Sequence, residues 1–155
     1  MALTKTQKEI DSMRRGGALL SRALQAAVGA VAPGVELREL DAIAERVITQ
    51  GGGSPSFKGY RTSPKDKPFP STLCVSVNEE IVHGLGDRAL KLKEGDVVGL
   101  DIGCWFESLC TDMAVTVGVG QITNEARRLI KVTRESLLAG VAVAFVGREI
   151  KDISR

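Results

Sequence analysis

The sequence has little of several features that would assign a function directly. Only 4% of the 155 residues are aromatic and the net charge is only +2, so the basic stretches with interleaved aromatic residues that bind nucleic acid are missing. No apolar run approaches the length of a membrane span, and the N-terminus lacks the apolar core of a signal peptide. We therefore expect a cytoplasmic protein that binds neither nucleic acid nor a membrane.

Histidine and cysteine are also scarce. The three cysteines form no CxxC pair, and their odd number argues against a disulfide framework or a zinc knuckle, so Cys104 and Cys110 are interpreted as small buried thiols. The only histidine, His83, lies between Val82 and Gly84. A structural role is the default interpretation for such a residue, and a functional role is the alternative.

What the sequence does contain is the ordinary composition of one globular domain, with 43% hydrophobic and 26% charged residues. Apolar residues at three- and four-residue spacing predict three amphipathic helices. The first begins at a capping box formed by Thr6 and Glu9 and ends at Pro33-Gly34, and the second ends at residues 51–53. The third follows Thr123 and is interrupted at Gly147, where a further helix begins.

A loop is predicted for residues 54–72, which are rich in Ser, Pro, Gly and Lys, and a short strand for residues 73–77. Three aromatic residues, Phe57, Tyr60 and Phe69, occur in the loop. They either pin the loop to the body of the protein or line an apolar substrate pocket.

The most informative stretch is residues 94–118, which predicts a β-hairpin. A tip at Phe106-Glu107 would place Asp101 and Asp112 directly opposite each other, with Cβ atoms about 5 Å apart. Opposed carboxylates repel, so they call for a shared proton or a divalent cation between them. The alternative is a register that differs by one residue, which would send the two aspartates to opposite faces of the sheet.

A weak internal repeat relates residues 34–40 to residues 147–153, because charges and apolar positions agree at all but the second position. The repeat predicts one domain over 1–155, with a first half-repeat at 1–120 and the start of a second at 121–155. Chance similarity between amphipathic helices is the alternative.

Three stretches carry a resemblance to a known family: residues 69–84 (FPSTLCVSVNEEIVHG), 94–101 (EGDVVGLD) and 111–117 (TDMAVTV). With the spacing Asn78-x4-His83-Gly84 and two aspartates eleven residues apart, they strongly resemble type I methionine aminopeptidase over nearly the whole chain. The resemblance implies an α/β chain with the pita-bread fold, of which this sequence would supply the N-terminal half and the start of the second. The implied function is metal-dependent removal of the initiator methionine from nascent proteins.

The resemblance also implies roles for individual residues. Asp101 and Asp112 would be ligands of two divalent metal ions (cobalt, manganese, iron(II) or zinc), and His83 would be catalytic and contact the substrate. The pocket for the methionine side chain would be lined by Cys74, Tyr60 and Phe69, with Phe57 a weaker candidate.

The sequence departs from this family in its ligand set, because the further histidine and two glutamates of the family site have no match here. We therefore expect the isolated chain to bind metal weakly and to be inactive or nearly so, and to form a homodimer or to pair with a complementary C-terminal half. The loop at residues 61–68 also looks longer than in simpler members. Two other functions are consistent with the fold: an Xaa-Pro-type pita-bread peptidase, and a non-catalytic module that binds peptides or proteins.

Overall fold

The computed structural model describes residues 4–154, and the chain divides into two compact units, Met1–Gln121 and Ile122–Arg155. Within residues 4–154, no helix is both long enough and apolar enough to cross a membrane. The first unit holds two helices and four strands, which are α1 (Gln7–Gly29), α2 (Leu37–Gln50), β1 (Ser54–Pro55), β2 (Leu73–Val77), β3 (Val97–Phe106) and β4 (Leu109–Gly118).

Both helices of the first unit begin at capping boxes. The Glu9 backbone N–H donates to the Thr6 hydroxyl at 3.3 Å, and the Thr6 N–H donates to the Glu9 carboxylate at 2.7 Å. The hydrogen bonds that the Thr6 N–H and the Thr6 hydroxyl donate to the Glu9 carboxylate lower the pKa of Glu9. Glu36 and Glu39 form the corresponding box at α2. The predicted start of the first helix is therefore confirmed, whereas its predicted end at Pro33-Gly34 is wrong, because the helix ends at Gly29.

Strand β3 is the centre of an antiparallel sheet. Strand β4 pairs with it along its whole length, while β2 and then β1 pair along its other edge, with Cys74 opposite Asp101 and Ser54 opposite Trp105. Side chains alternate between the two faces of a strand. One face of the sheet therefore packs on α1 and α2, and we call the opposite one the outer face.

The core lies between the sheet and the two helices. Strand β3 contributes four residues that are fully buried, Val98, Leu100, Ile102 and Cys104. Burying one aliphatic side chain of this size stabilises a fold by about 1.5–3 kcal/mol. The odd-numbered residues of β3 point the other way, so the outer face presents Asp101, Gly103 and Trp105.

The hairpin tip lies one residue further along than the sequence predicted. Phe106 pairs with Leu109, and the two tip residues Glu107 and Ser108 have left-handed φ values of 47° and 65°. This two-residue turn matches the twist of the flanking strands, and Phe106 stays in its strand because its ring packs on the core. The Glu107 carboxylate accepts hydrogen bonds from Ser12 and Arg15 of α1, which anchor the tip.

The prediction that Asp101 and Asp112 lie directly opposite each other is therefore wrong. Asp101 pairs with Ala114, and Asp112 pairs with Gly103. Moving the tip by one residue moves each pairing by two, and a two-residue move keeps every side chain on its face. The aspartates are thus diagonal neighbours on the outer face, with an expected Cβ separation of about 7 Å.

The second unit consists of α3 (Asn124–Val143) and a 3₁₀ helix (Ile150–Ser154). The Thr123 hydroxyl accepts a hydrogen bond from the Ala126 N–H at 3.1 Å, as expected of an N-cap. The further helix predicted after Gly147 is a short 3₁₀ segment over the described residues. The internal repeat and its boundaries stay predictions.

Candidate metal and substrate site

A cavity of about 620 Å³ opens on the outer face of the sheet. It brings together five residues that the sequence analysis singled out, and Phe57 with them. Asp112 is not among the residues that line it, although it lies on the same face. The lining residues are Ser56, Phe57, Tyr60, Thr62, Phe69, Cys74, His83, Asp101 and Trp105.

Asp101 is the polar centre of this cavity. Its Oδ1 atom is buried and has no hydrogen-bond partner among the described residues. Burial raises the pKa of Asp101, the negative charge of Asp112 raises it further, and His83 opposes both effects. A buried carboxylate oxygen without a donor is costly, and a bound cation would supply the missing partner.

The two aspartates fit part of a metal site. Carboxylate oxygens are ligands for divalent ions, and both carboxylates lie on one sheet face. Among residues 4–154, however, no group of three or more His, Cys, Asp or Glu side chains could hold a metal ion. The donor set of the described residues is therefore compatible with a divalent ion but too small to fix its coordination.

Cys74 lies opposite Asp101 on the neighbouring strand and is buried. Burial, together with the charges of Asp101 and Asp112, raises the pKa of Cys74 to about 11. The thiol is therefore protonated at neutral pH, which excludes it as a thiolate nucleophile. A neutral, polarisable sulfur is instead a suitable wall for an apolar side chain. Unlike Cys74 and Cys104, Cys110 is exposed, which corrects the expectation that it is buried.

His83 lies on the loop between β2 and β3 and has a left-handed φ of 59°. A residue other than glycine in this region is uncommon, and such conformations cluster at functional sites. The residue is exposed and lines the cavity, so it is not a buried core histidine. The structure thus places His83 where a substrate could contact it.

An ion pair holds the His83 loop in place. The Arg88 guanidinium donates to both Glu80 carboxylate oxygens at 2.5 and 2.8 Å, and to the Val75 carbonyl at 3.0 Å. The Arg88 hydrogen bonds, with one from the Val77 N–H, lower the pKa of Glu80 to about 2. This pair clamps the loop onto β2.

Gly84 completes the attachment of the loop. Its N–H donates to the Ser76 hydroxyl at 3.2 Å, and its carbonyl accepts from the Val75 N–H at 2.7 Å. A Cβ at residue 84 would lie 2.2 Å from the Val75 carbonyl oxygen, so no larger residue fits. The close approach of Gly84 to β2 fixes the position of His83, its neighbour.

The aromatic wall of the cavity is fixed by backbone hydrogen bonds. The Gly59 N–H donates to the Phe69 carbonyl and the Phe69 N–H to the Tyr60 carbonyl, both at 2.8 Å. Residues 61–68 form the loop between Tyr60 and Phe69, and the hydrogen bond between these two residues closes that loop.

At the start of β2, the buried carboxylate of Asp41 accepts a hydrogen bond from the Leu73 N–H at 2.7 Å and so anchors the strand.

Sequence reasoning missed three lining residues: Ser56, Thr62 and Trp105. Strand alternation could have found Trp105, because it lies four residues after Asp101 and hence on the same face. Ser56 and Thr62 lie in the predicted loop and carry no periodic signal.

Comparison with known proteins identifies a family that the chain matches. The profile of metallopeptidase family M24 matches residues 11–155. The chain is 41% identical over 154 residues to the methionine aminopeptidase of Clostridium perfringens, and 39% identical over 155 residues to methionine aminopeptidase 1 of Bacillus subtilis. Each alignment covers 99% of this chain but only 59% of the relative.

Solved structures give the same picture. A methionine aminopeptidase from Thermotoga maritima superposes with a TM-score of 0.83 at 33% identity, over 91% of this chain and 54% of that one. An Escherichia coli aminopeptidase P variant in complex with substrate gives 0.81 at 22% identity, over 98% and 32%, which is a likeness of fold alone. The predicted pita-bread fold is confirmed for the part of it that this chain covers.

Proposed function

The chain belongs to metallopeptidase family M24, and from this premise we propose that its activity is that of a methionine aminopeptidase, which removes the N-terminal methionine of nascent proteins. One observation carries the proposal: two aspartates share a sheet face beside an apolar cavity that also contains Cys74 and His83. Nascent chains emerge in the cytoplasm, which agrees with the location predicted from the sequence.

In this proposal Asp101 and Asp112 hold the divalent ions, with cobalt, manganese, iron(II) and zinc as the candidates. When bound, such ions polarise the scissile carbonyl and lower the pKa of water so that hydroxide is available at neutral pH. The orphaned Oδ1 atom of Asp101 supports this assignment.

The cavity selects the substrate and His83 contacts its backbone. Tyr60 and Phe69 form an aromatic wall, and the neutral thiol of Cys74 lies at the sheet. Aromatic rings and sulfur both contact a thioether favourably, which suits the methionine side chain. The exposed imidazole of His83 is free to hydrogen-bond the reacting carbonyl or amide, assisting the reaction as a proton donor or acceptor.

Two carboxylates are too few to hold ions in a defined geometry. The 155-residue chain spans about 59% of the length of the curated relatives it matches. We therefore expect the chain by itself to bind metal weakly and to release little or no methionine. A homodimer or a complementary second half would have to supply the remaining ligands.

The first experiment measures methionine release from Met-Ala-Ser by the purified chain with manganese, cobalt, zinc or iron(II), together with its mass in solution. A folded chain with little or no turnover is expected. Turnover that Asp101→Asn abolishes would show that assembly completes the site, and would overturn the expectation of inactivity.

A second experiment tests the substrate class. The chain is titrated with peptide while the fluorescence of Trp105, which lines the cavity, is followed. We expect Met-Ala-Ser to change the emission and Ala-Pro-Ser to leave it unchanged. The reverse preference would overturn the methionine assignment in favour of an Xaa-Pro-type peptidase.

The shortage of ligands favours one alternative, a module that binds peptides without catalysis. In that case Met-Ala-Ser would bind equally well to the chain and to Asp101→Asn, and no added metal would change the affinity. A requirement for metal and for Asp101 would exclude this alternative.

A further inference from the structure

Ser56 fills a space that Gly103 leaves open beside the aspartates. The Ser56 N–H donates to the Gly103 carbonyl at 3.0 Å, which fixes the serine over this residue. A Cβ at residue 103 would lie 2.1 Å from the Ser56 Oγ atom and 3.3 Å from the Asp112 Oδ1 atom. The serine hydroxyl and the Asp112 carboxylate are therefore neighbours across the bare backbone of Gly103.

Within residues 4–154, the Ser56 hydroxyl has no hydrogen-bond partner. Its Oγ atom is buried, and no donor or acceptor among the described residues is bonded to it. A buried hydroxyl normally finds at least one partner, so an unpaired one calls for an explanation. Ser56 lines the cavity, and its Oγ atom and the Asp112 Oδ1 atom both lie around the position that a Cβ of residue 103 would occupy.

We propose that Ser56 is a positioning residue for Asp112, whose carboxylate accepts a hydrogen bond from the Ser56 hydroxyl when a cation occupies the aspartate pair. The inference rests on the metal site of the proposed function. A ligating carboxylate keeps lone pairs that the ion does not use, and a donor bound to one of them orients the carboxylate toward the ion. The missing side chain at Gly103 makes room for this donor.

The proposal predicts the effects of three variants. Removing such a second hydrogen bond typically weakens metal binding 10- to 100-fold, so we expect Ser56→Ala to weaken it about 10-fold. Gly103→Ser alone overlaps the Ser56 hydroxyl and should also impair binding. Ser56→Ala with Gly103→Ser moves the hydroxyl to the other strand and should restore affinity, since the Phe57 ring at 3.0 Å and the Asp112 Oδ1 atom at 3.3 Å from the new Cβ belong to side chains that can shift by a few tenths of an ångström.

The experiment uses terbium(III), a hard ion that binds carboxylate oxygens, and excites the only tryptophan, Trp105, at the cavity. Sensitised terbium emission then reports binding at this site, and competition with manganese(II) gives the affinity for a divalent ion. The melting temperature of each metal-free variant is measured in parallel.

Thr111→Val is the matched control. The Thr111 hydroxyl is likewise buried and has no partner in the part of the chain that the structure describes, but it faces Gly16 of α1 on the opposite side of the sheet. We expect Thr111→Val to leave metal affinity unchanged.

The expected result is weaker metal binding by Ser56→Ala with an unchanged or higher metal-free melting temperature, and rescue by the double variant. A lower melting temperature with unchanged affinity would make Ser56 merely structural and overturn the inference. Unchanged affinity in Ser56→Ala, with binding abolished by Asp101→Asn, would overturn the role of Ser56 but leave the metal site intact. If Asp101→Asn did not affect binding, or the parent chain bound no ion, both the metal site and this inference would fail.

Discussion

The two faces of strand β3 differ in the burial of their side chains and in whether their polar groups have hydrogen-bond partners. On the core face Val98, Leu100, Ile102 and Cys104 are fully buried. On the outer face Asp101 is half-buried with an orphaned oxygen, Gly103 has no side chain and Trp105 is 46% exposed. The core face stabilises the fold, and the outer face keeps polar groups unsatisfied where a ligand could satisfy them. One strand can do both because successive side chains alternate between faces.

The largest loss of stability is expected from a substitution on the core face. Leu100→Ala removes a fully buried side chain and leaves a cavity that the surrounding structure fills only in part. We expect it to lower the free energy of unfolding by about 3 kcal/mol, measured by chemical denaturation. A loss below about 1 kcal/mol would mean that the core face is not packed as described.

An intermediate effect is expected where ionic contacts support the outer face. Arg88→Met keeps an unbranched apolar stem but removes the Glu80 ion pair and the bonds to the Val75 and Leu85 carbonyls, and should lower the free energy of unfolding by about 1–2 kcal/mol. The binding of peptide near His83 should weaken as well, because the loop loses its clamp.

The same pair gives a dependence on pH. The pKa of Glu80 is lowered from its ordinary value of 4.5 to about 2 in the folded chain, so the pair stabilises the fold fully above the ordinary value. Its contribution is lost as the pH falls toward 2. The difference in unfolding free energy between the parent chain and Arg88→Met should therefore shrink from pH 5 to pH 2, whereas a constant difference would exclude the ion pair as its cause.

The smallest expected effect has the opposite sign. Burial raises the pKa of Asp101, so at neutral pH its ionised form destabilises the folded, metal-free chain. Asp101→Asn removes this charge and should raise the melting temperature of the metal-free chain slightly, while abolishing metal binding. If Asp101→Asn were less stable than the parent chain, the Asp101 charge would not destabilise the metal-free fold.

Features of the fold that depend on residues close together in the sequence were predicted better than features that depend on contacts between distant segments. The Thr6 capping box and the hairpin followed from nearby residues, and both aspartates fell on one face although the tip was predicted one residue early. That error came from Phe106, whose packing on the core and the anchoring of Glu107 to α1 are contacts across 90 residues or more. The structure excludes a buried core position for His83, whose catalytic role stays a prediction from the resemblance.

By itself, the sequence determined the alternation of the strands, the start of the first helix, the end of the second helix and the family. The tertiary structure alone decided which loop residues reach the outer face, which is why Ser56 and Thr62 had no sequence signal. It also decided what surrounds the space that Gly103 leaves beside Asp112, because Ser56 and Phe57, which follow β1, meet β4 there from a different part of the chain. Periodicity is a local property that a sequence records directly, whereas the environment of a side chain depends on segments that meet only on folding.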